Sequence, residues 1–220
     1  MIQKISILLE LQYLPPIQYF TKLIRHKTLF LEQCEHYQKG SYRNRCHIAT
    51  ANGLQRLSIP LKKGKNEQQR IREVRIAYDE HWQAKHWQSI RSAYGNAPFF
   101  EFYSDVLEPF YSKNYRFLFD WNWDFLDAVI DLLSIDCEVK FTESYEEQND
   151  NPKVLDLRNS IHPKLHLTKE DPCFSPTKYA QVFEEKHGFL PNLSILDLLF
   201  CTGPQSLEIL ENCCKWKGEN

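Results

Sequence analysis

The sequence predicts a single α/β domain, with a mixed sheet drawn mainly from the N-terminal third and a helical layer from the middle and C-terminal segments. Three observations point there. A strand-like apolar run opens the chain and stops at Pro15-Pro16. An Asn52-Gly53 pair then separates two further β-like runs. From about Asp79 the apolar period changes from two to that of a helix. A length of 220 residues with 42% hydrophobic and 14% aromatic content suffices for one real core.

In order, residues 3–12 read as a strand. Ile17 to His26 read as a helix, with Ile17, Phe20, Leu23 and Ile24 at helical spacing and Pro16 near its first turn. Thr28–Glu32 reads as a second strand, so a short helix must complete a right-handed parallel crossover in about 20 residues. Leu57–Leu61 is the expected returning strand of the hairpin, "KKGKNEQQR" a charged loop, and "IREVRIAY" another strand. "DEHWQAKHWQSIRSAYG" follows as a helix with Trp82, His86, Ser89/Ile90 and Ala93 on one face, stopped at Gly95. Helical segments continue to Ile135, and "CEVKFTES" reads as a short strand. Residues 144–170 are polar and read as a surface excursion. "SPTKYAQVFEEKHGF" and "LPNLSILDLLFCTGPQSLEIL" read as helices, the second closed by Gly203-Pro204. The domain is expected to span 1–212, with 213–220 as a tail.

Composition narrows the function. A formal net charge of −2 gives no global pull toward nucleic acid, and the basic stretch 56–75 is interleaved with Glu. No run approaches the roughly 20 apolar residues of a membrane span. The N-terminal apolar run is too short for an export signal. The seven cysteines, at 34, 46, 137, 173, 201, 213 and 214, include no CxxC pair and read as reduced thiols of a cytoplasmic protein. His81 and His86 are five apart and do not share a helical face, so no metal is expected there. No cofactor is indicated.

Four stretches could carry chemistry. The corner Tyr13–Tyr19 either aims free helix N–H groups at an anion or is a rigid joint. In "SYRNRCHI", Arg43 and Arg45 would point to one side of an extended segment and clamp a carboxylate or diphosphate, with Asn44 fixing orientation. The alternative is a solvated basic edge. Lys85, His86 and Arg91 could face a cleft, with His86 as an acid or base; the alternative is that His86, between two Trp, is a core-edge residue with a hydrogen bond. Asn192 or Ser194 can cap the last helix, and Asp197, three residues after Ser194, would need a cation such as Arg43 or Arg45 if it is buried; the alternative is a solvent-facing Asp.

Taken together, "YLPPIQYFTKL", "YRNRCHI" with its glycine hairpin and "LSIPL", "REVRI", "KHWQSIRSAYGNAPFFEFY" and "GFLPNLSILDLLFCTGP" resemble, in order, the WbqC-like family. The likeness is greatest to its branch in Bacteroidetes-type bacteria, and it spans residues 5–210. It implies a role in making or modifying a surface-polysaccharide (O-antigen-type) building block, with an activated sugar or acyl/aminoacyl donor as anionic substrate. Many members begin the corner with His-Gln-Pro, where this chain has Leu9, Glu10 and Leu11. If that His is the family's base, Glu10 or His86 must serve here, with Tyr13, Arg43, Asn44, Arg45, Lys85 and Asp197 around the substrate. The replaced His and the aromatic excess near Phe99, Phe100, Tyr103, Trp121 and Trp123 also suit a non-catalytic scaffold for a partner protein.

Overall fold

The structure is a computed structural model that describes residues 6–63, 66–169 and 171–214. Its centre is a four-stranded parallel sheet in the order β5-β2-β1-β6, formed by β1 (Ser6–Glu10), β2 (Thr28–Glu32), β5 (Glu138–Phe141) and β6 (Val154–Asp156). A separate antiparallel hairpin joins β3 (Arg45–Thr50) to β4 (Gly53–Ser58). The α/β class is as expected, but parallel and antiparallel pairing occupy two sheets instead of mixing in one. Among the described residues no helix is long and apolar enough to cross a membrane.

The corner at Tyr13–Pro16 feeds α1 (Ile17–Leu23), every residue of which is buried. This seven-residue helix is short enough to return the chain to β2 beside β1. The other helices are α2 (Trp82–Tyr94), α3 (Phe100–Leu107), α4 (Leu118–Leu132), α5 (Glu184–His187), α6 (Ile195–Thr202) and α7 (Ser206–Asn212). Helix α6 is the hub, touching α1, α2, α3, α7 and β3. Its sequence ILDLLFCT is apolar nearly all round, as a helix buried on most sides must be. Ser194 caps it, accepting from Leu196 N at 3.4 Å.

Connection direction decides which face of the parallel sheet is covered. From β1 to β2 and on to β5 the chain steps one way across the sheet, while β5 to β6 steps back over two strands. Right-handed crossovers put opposite steps on opposite faces. The helices therefore lie over the face carrying Ile7, Leu9, Leu29 and Leu31, each 0% exposed. The other face, carrying Leu8 and Phe30, is crossed by residues 142–153, a connection with no helix in it. A parallel connection of this length usually contains a helix that fills the space above the strands; this strap does not, and a cavity is left.

Four sequence expectations are corrected. "IREVRIAY" is a 3₁₀ turn at Ile71–Glu73, with isolated bridges from Arg75 to Phe117 and Ile76 to Leu61, because its neighbours supply single contacts and no full strand edge. The hairpin return begins at Gly53, not Leu57; Gly53 has φ 94°, as the tight turn after Asn52 requires. Residues 144–170 are not merely a surface excursion, since they contribute β6 and the buried Arg158, Ser160 and Ile161. Residues 175–189 are helical only at α5, because Tyr179 and Gln181 turn inward to bond Asp197. The first strand is Ser6–Glu10; the expected residues 3–5, and the tail beyond Cys214, lie outside the described residues.

Candidate functional site

Ligands of open parallel sheets bind beyond the carboxyl ends of the strands, where the chain's stepping direction reverses. Here that point falls between β1 and β6. Strand alternation puts Glu10 on the face of Leu8 and Glu32 on the face of Phe30. Glu10 and Glu32 are register partners at the ends of β1 and β2. Both are 1% exposed.

Each carboxylate is fully engaged. Glu32 takes the Arg158 guanidinium at 2.9 Å, the Thr142 hydroxyl at 2.8 Å and the Cys34 N–H at 2.8 Å. Arg158 also binds Asp156 through Nε and Nη2 and donates to the Glu146 carbonyl, tying the strap to the strand ends. Its side chain lies over the Tyr145 ring at 5.0 Å. The hydrogen bonds Arg158 donates to Asp156, opposed by burial, keep Arg158 protonated well beyond the ordinary range. Burial pushes Asp156 up, but the bonds from Arg158 win and hold it below the usual carboxylate range. Glu10 accepts from Gln12 Nε2 at 2.8 Å and Asn159 N at 2.9 Å.

Beside these carboxylates lies the cavity under the strap, about 560 Å³, with Leu8, Phe30 and Val154 on its floor and Glu32 and Arg158 at its inner end. Residues Glu143, Ser144, Glu146, Asn149 and Asn151 of the strap line the opposite wall. A volume of this order suits a small-molecule ligand.

The sequence-derived site residues fall in four places. Arg43 is 1% exposed and grips Glu35 with two bonds, at 2.6 and 2.5 Å, while Nη2 reaches Asn159 Oδ1. Burial raises Glu35 and Arg43 pulls against that; burial would lower Arg43, but Glu35 keeps it charged. Asn159 accepts from Arg43 through Oδ1 and donates its N–H to Glu10, so these two expected site residues are brought near each other. Arg45 does not join them. A 3₁₀ turn at Tyr42–Asn44 rotates the backbone between the two arginines, and Arg45 instead lines a cavity of about 320 Å³ with Tyr37 and Lys39. The expected two-arginine clamp is therefore absent. Asn44 is engaged with Tyr37 Oη and the Ile59 carbonyl.

Tyr13 and His86 are also joined, at 2.8 Å, inside the aromatic cluster of Trp82, Tyr111 and Trp121. Burial lowers the His86 pKa to about 4, against a hydrogen bond to the Ser58 backbone. The imidazole is a neutral core group, not one facing a cleft. Lys85, expected beside it, is exposed and paired with Glu80. Asp197 meets no arginine; Tyr94, Tyr179 and Gln181 donate to it at 2.9, 2.6 and 2.9 Å. Burial still pushes its pKa up, with those three bonds pulling down.

The corner is a joint. Ile17 N–H donates to the Leu193 carbonyl, Gln18 N–H to Asn192 Oδ1 and Tyr19 N–H to the Pro16 carbonyl, so the first turn of α1 offers no free donor to an anion. Leu14, buried before Pro15, has φ 44°. That left-handed backbone is costly for Leu, and it is held by the bonds Tyr13 N–H to Tyr42 O and Ile195 N–H to Pro15 O.

Sequence reasoning overlooked Glu32, Glu35, Arg158 and Asn159. A Glu closing an apolar strand, in both "SILLE" and "TLFLE", was the available signal for the first.

No solved structure matches this chain. It is similar to the uncharacterised protein Rv1507c of Mycobacterium tuberculosis (strain ATCC 25618 / H37Rv), 24% identical over 234 residues, covering 96% of this chain and 99% of that protein. Residues 12–171 match the WbqC-like protein family, a span that takes in the corner, the arginine turn, the strap and β6, and the chain belongs to that family.

Proposed function

We propose that the chain is a cytoplasmic enzyme that makes or modifies a building block of a bacterial surface polysaccharide, using an activated sugar or an acyl/aminoacyl donor in the cavity beneath the strap. The observation that carries this reading is the convergence of Glu32 and Arg158 at the strand ends, buried and yet lining the cavity. Glu32, locked by Arg158, Thr142 and the Cys34 N–H, is a positioning group that fixes the Arg158 guanidinium at the cavity. Glu10, one strand over, is a positioning residue that holds the Asn159 backbone and with it the turn carrying Arg158.

Family membership supports the setting, and the topology supports the location. A thermal-shift panel of nucleotide sugars, ATP, acyl-CoA esters and amino acids tests the reading on the full chain. A ligand present at about 100 times its dissociation constant should stabilise the fold by roughly 2.7 kcal/mol. Ser144→Tyr, which fills the cavity from an exposed position, should remove that shift. A shift equal in both proteins places the ligand elsewhere and contradicts this reading.

A second reading, a scaffold for a biosynthetic partner protein, is favoured by α3. Phe102 and Val106 stand one turn apart on it and are 70% and 42% exposed. Silence across the panel with both proteins folded would favour this alternative.

A further inference from the structure

We infer that the cavity under the strap takes an uncharged or amino-bearing polyhydroxylated ring, such as a hexose or hexosamine unit, and excludes phosphate. The inference rests on the reading of this cavity as the functional site and assigns the part of the substrate that enters it.

Charge carries the argument. Two cations line the cavity, Lys140 and Arg158, and both are already paired. Lys140 Nζ lies 2.9 Å from Glu138, and Arg158 is spent on Glu32, Asp156 and the Glu146 carbonyl. A phosphate would meet three lining carboxylates, Glu32, Glu143 and Glu146, against these two cations. Arg158 is held by the buried Glu32 and by Asp156, and Lys140 by an exposed, solvent-screened pair, so the lining is net negative and disfavours phosphate. The strap carboxylates Glu143 and Glu146 line the same space and form no ion pair among the described residues. They are free to accept from hydroxyls or to attract an ammonium group.

Shape agrees with charge. The floor is apolar, and one face of a saturated ring is a flat array of C–H groups that packs on such a floor. Above the floor, Ser144 supplies a hydroxyl, and Asn149 and Asn151, whose Oδ1 atoms already accept from the Asn151 and Lys153 N–H groups, supply amide NH2 donors that suit ring hydroxyls. In a donor carrying a phosphate, the sugar enters and the phosphate stays outside.

The test is titration calorimetry of the full chain with glucose, glucosamine and glucose 1-phosphate, at low and high salt. Glucosamine should bind most tightly, by roughly fivefold over glucose for one carboxylate at about 4 Å in a water-like medium. That advantage should shrink at high salt and in the variant Glu143→Gln/Glu146→Gln, whose substitutions are at exposed positions and leave the fold alone. Glucose 1-phosphate, whose phosphate stays outside the cavity, should bind no more tightly than glucose. Preference for the phosphate, or no binding of any of the three, overturns the inference. If nucleotide sugars still stabilise the wild type but not Ser144→Tyr, the enzyme reading survives that failure. If free sugars bind and no donor in the panel does, the ring-binding inference stands and the donor reading falls.

Discussion

At the scale of single residues, burial turns expected ligand-binding groups into structural ones. Arg43 and Glu35 form a two-bond ion pair with side chains 1% and 2% exposed. Removing one partner leaves an uncompensated buried charge, so Arg43→Ala should cost roughly 3–5 kcal/mol. The double variant Arg43→Met/Glu35→Leu should recover most of that loss, as urea unfolding of the three proteins would reveal. His86 makes a second prediction. Its folded pKa of about 4 lies below the ordinary value near 6.5, so the unfolded chain binds a proton first as pH falls. Neutral His86 therefore contributes stability above about pH 6.5 that is lost as the pH falls toward 4. Between pH 7 and 4.5 the wild type should lose roughly 2–3 kcal/mol more than His86→Gln, measured by denaturant unfolding at each pH.

At the scale of elements, the α6–α7 junction shows how one position fixes a packing arrangement. Gly203 ends α6 with φ 54°, and a Cβ there would lie 2.4 Å from the Phe99 ring. Gly203→Ala combines a left-handed backbone penalty with overpacking and should cost roughly 2–4 kcal/mol in thermal or denaturant unfolding. Little or no loss would mean that Phe99 can move aside. Much at this scale was legible beforehand: the strand–corner–helix–strand opening, the Asn52-Gly53 hairpin, α2 with its buried face, and the Ser194 cap of α6 each follow from local pattern. The parts that escaped depend on distant partners. Strand β6 has three residues in a polar segment, and only its register with Ser6–Leu8 makes it a strand. Arg43 could not be read as buried because its partner Glu35 lies in a turn eight residues earlier and its second contact, Asn159, is 116 residues away. Asp197 likewise draws its donors from a segment whose local pattern suggests a helix.

At the scale of the whole molecule, one topological fact organises the site. The chain steps one way across the parallel sheet and returns over the opposite face by a helix-free strap, leaving a cavity over that face that reaches the carboxyl ends of the strands at Glu32 and Arg158. Arg158 ties that strap to β2 and β6, so ligand occupancy and strap order should be coupled. The most direct measurement is hydrogen–deuterium exchange of the full chain with and without saturating glucosamine. Residues 142–160 should exchange more slowly, with 37–45 and 59–63 around the Arg45 cavity unchanged. Protection around Arg45 instead, with the strap exchanging as in the free protein, would contradict this placement of the site.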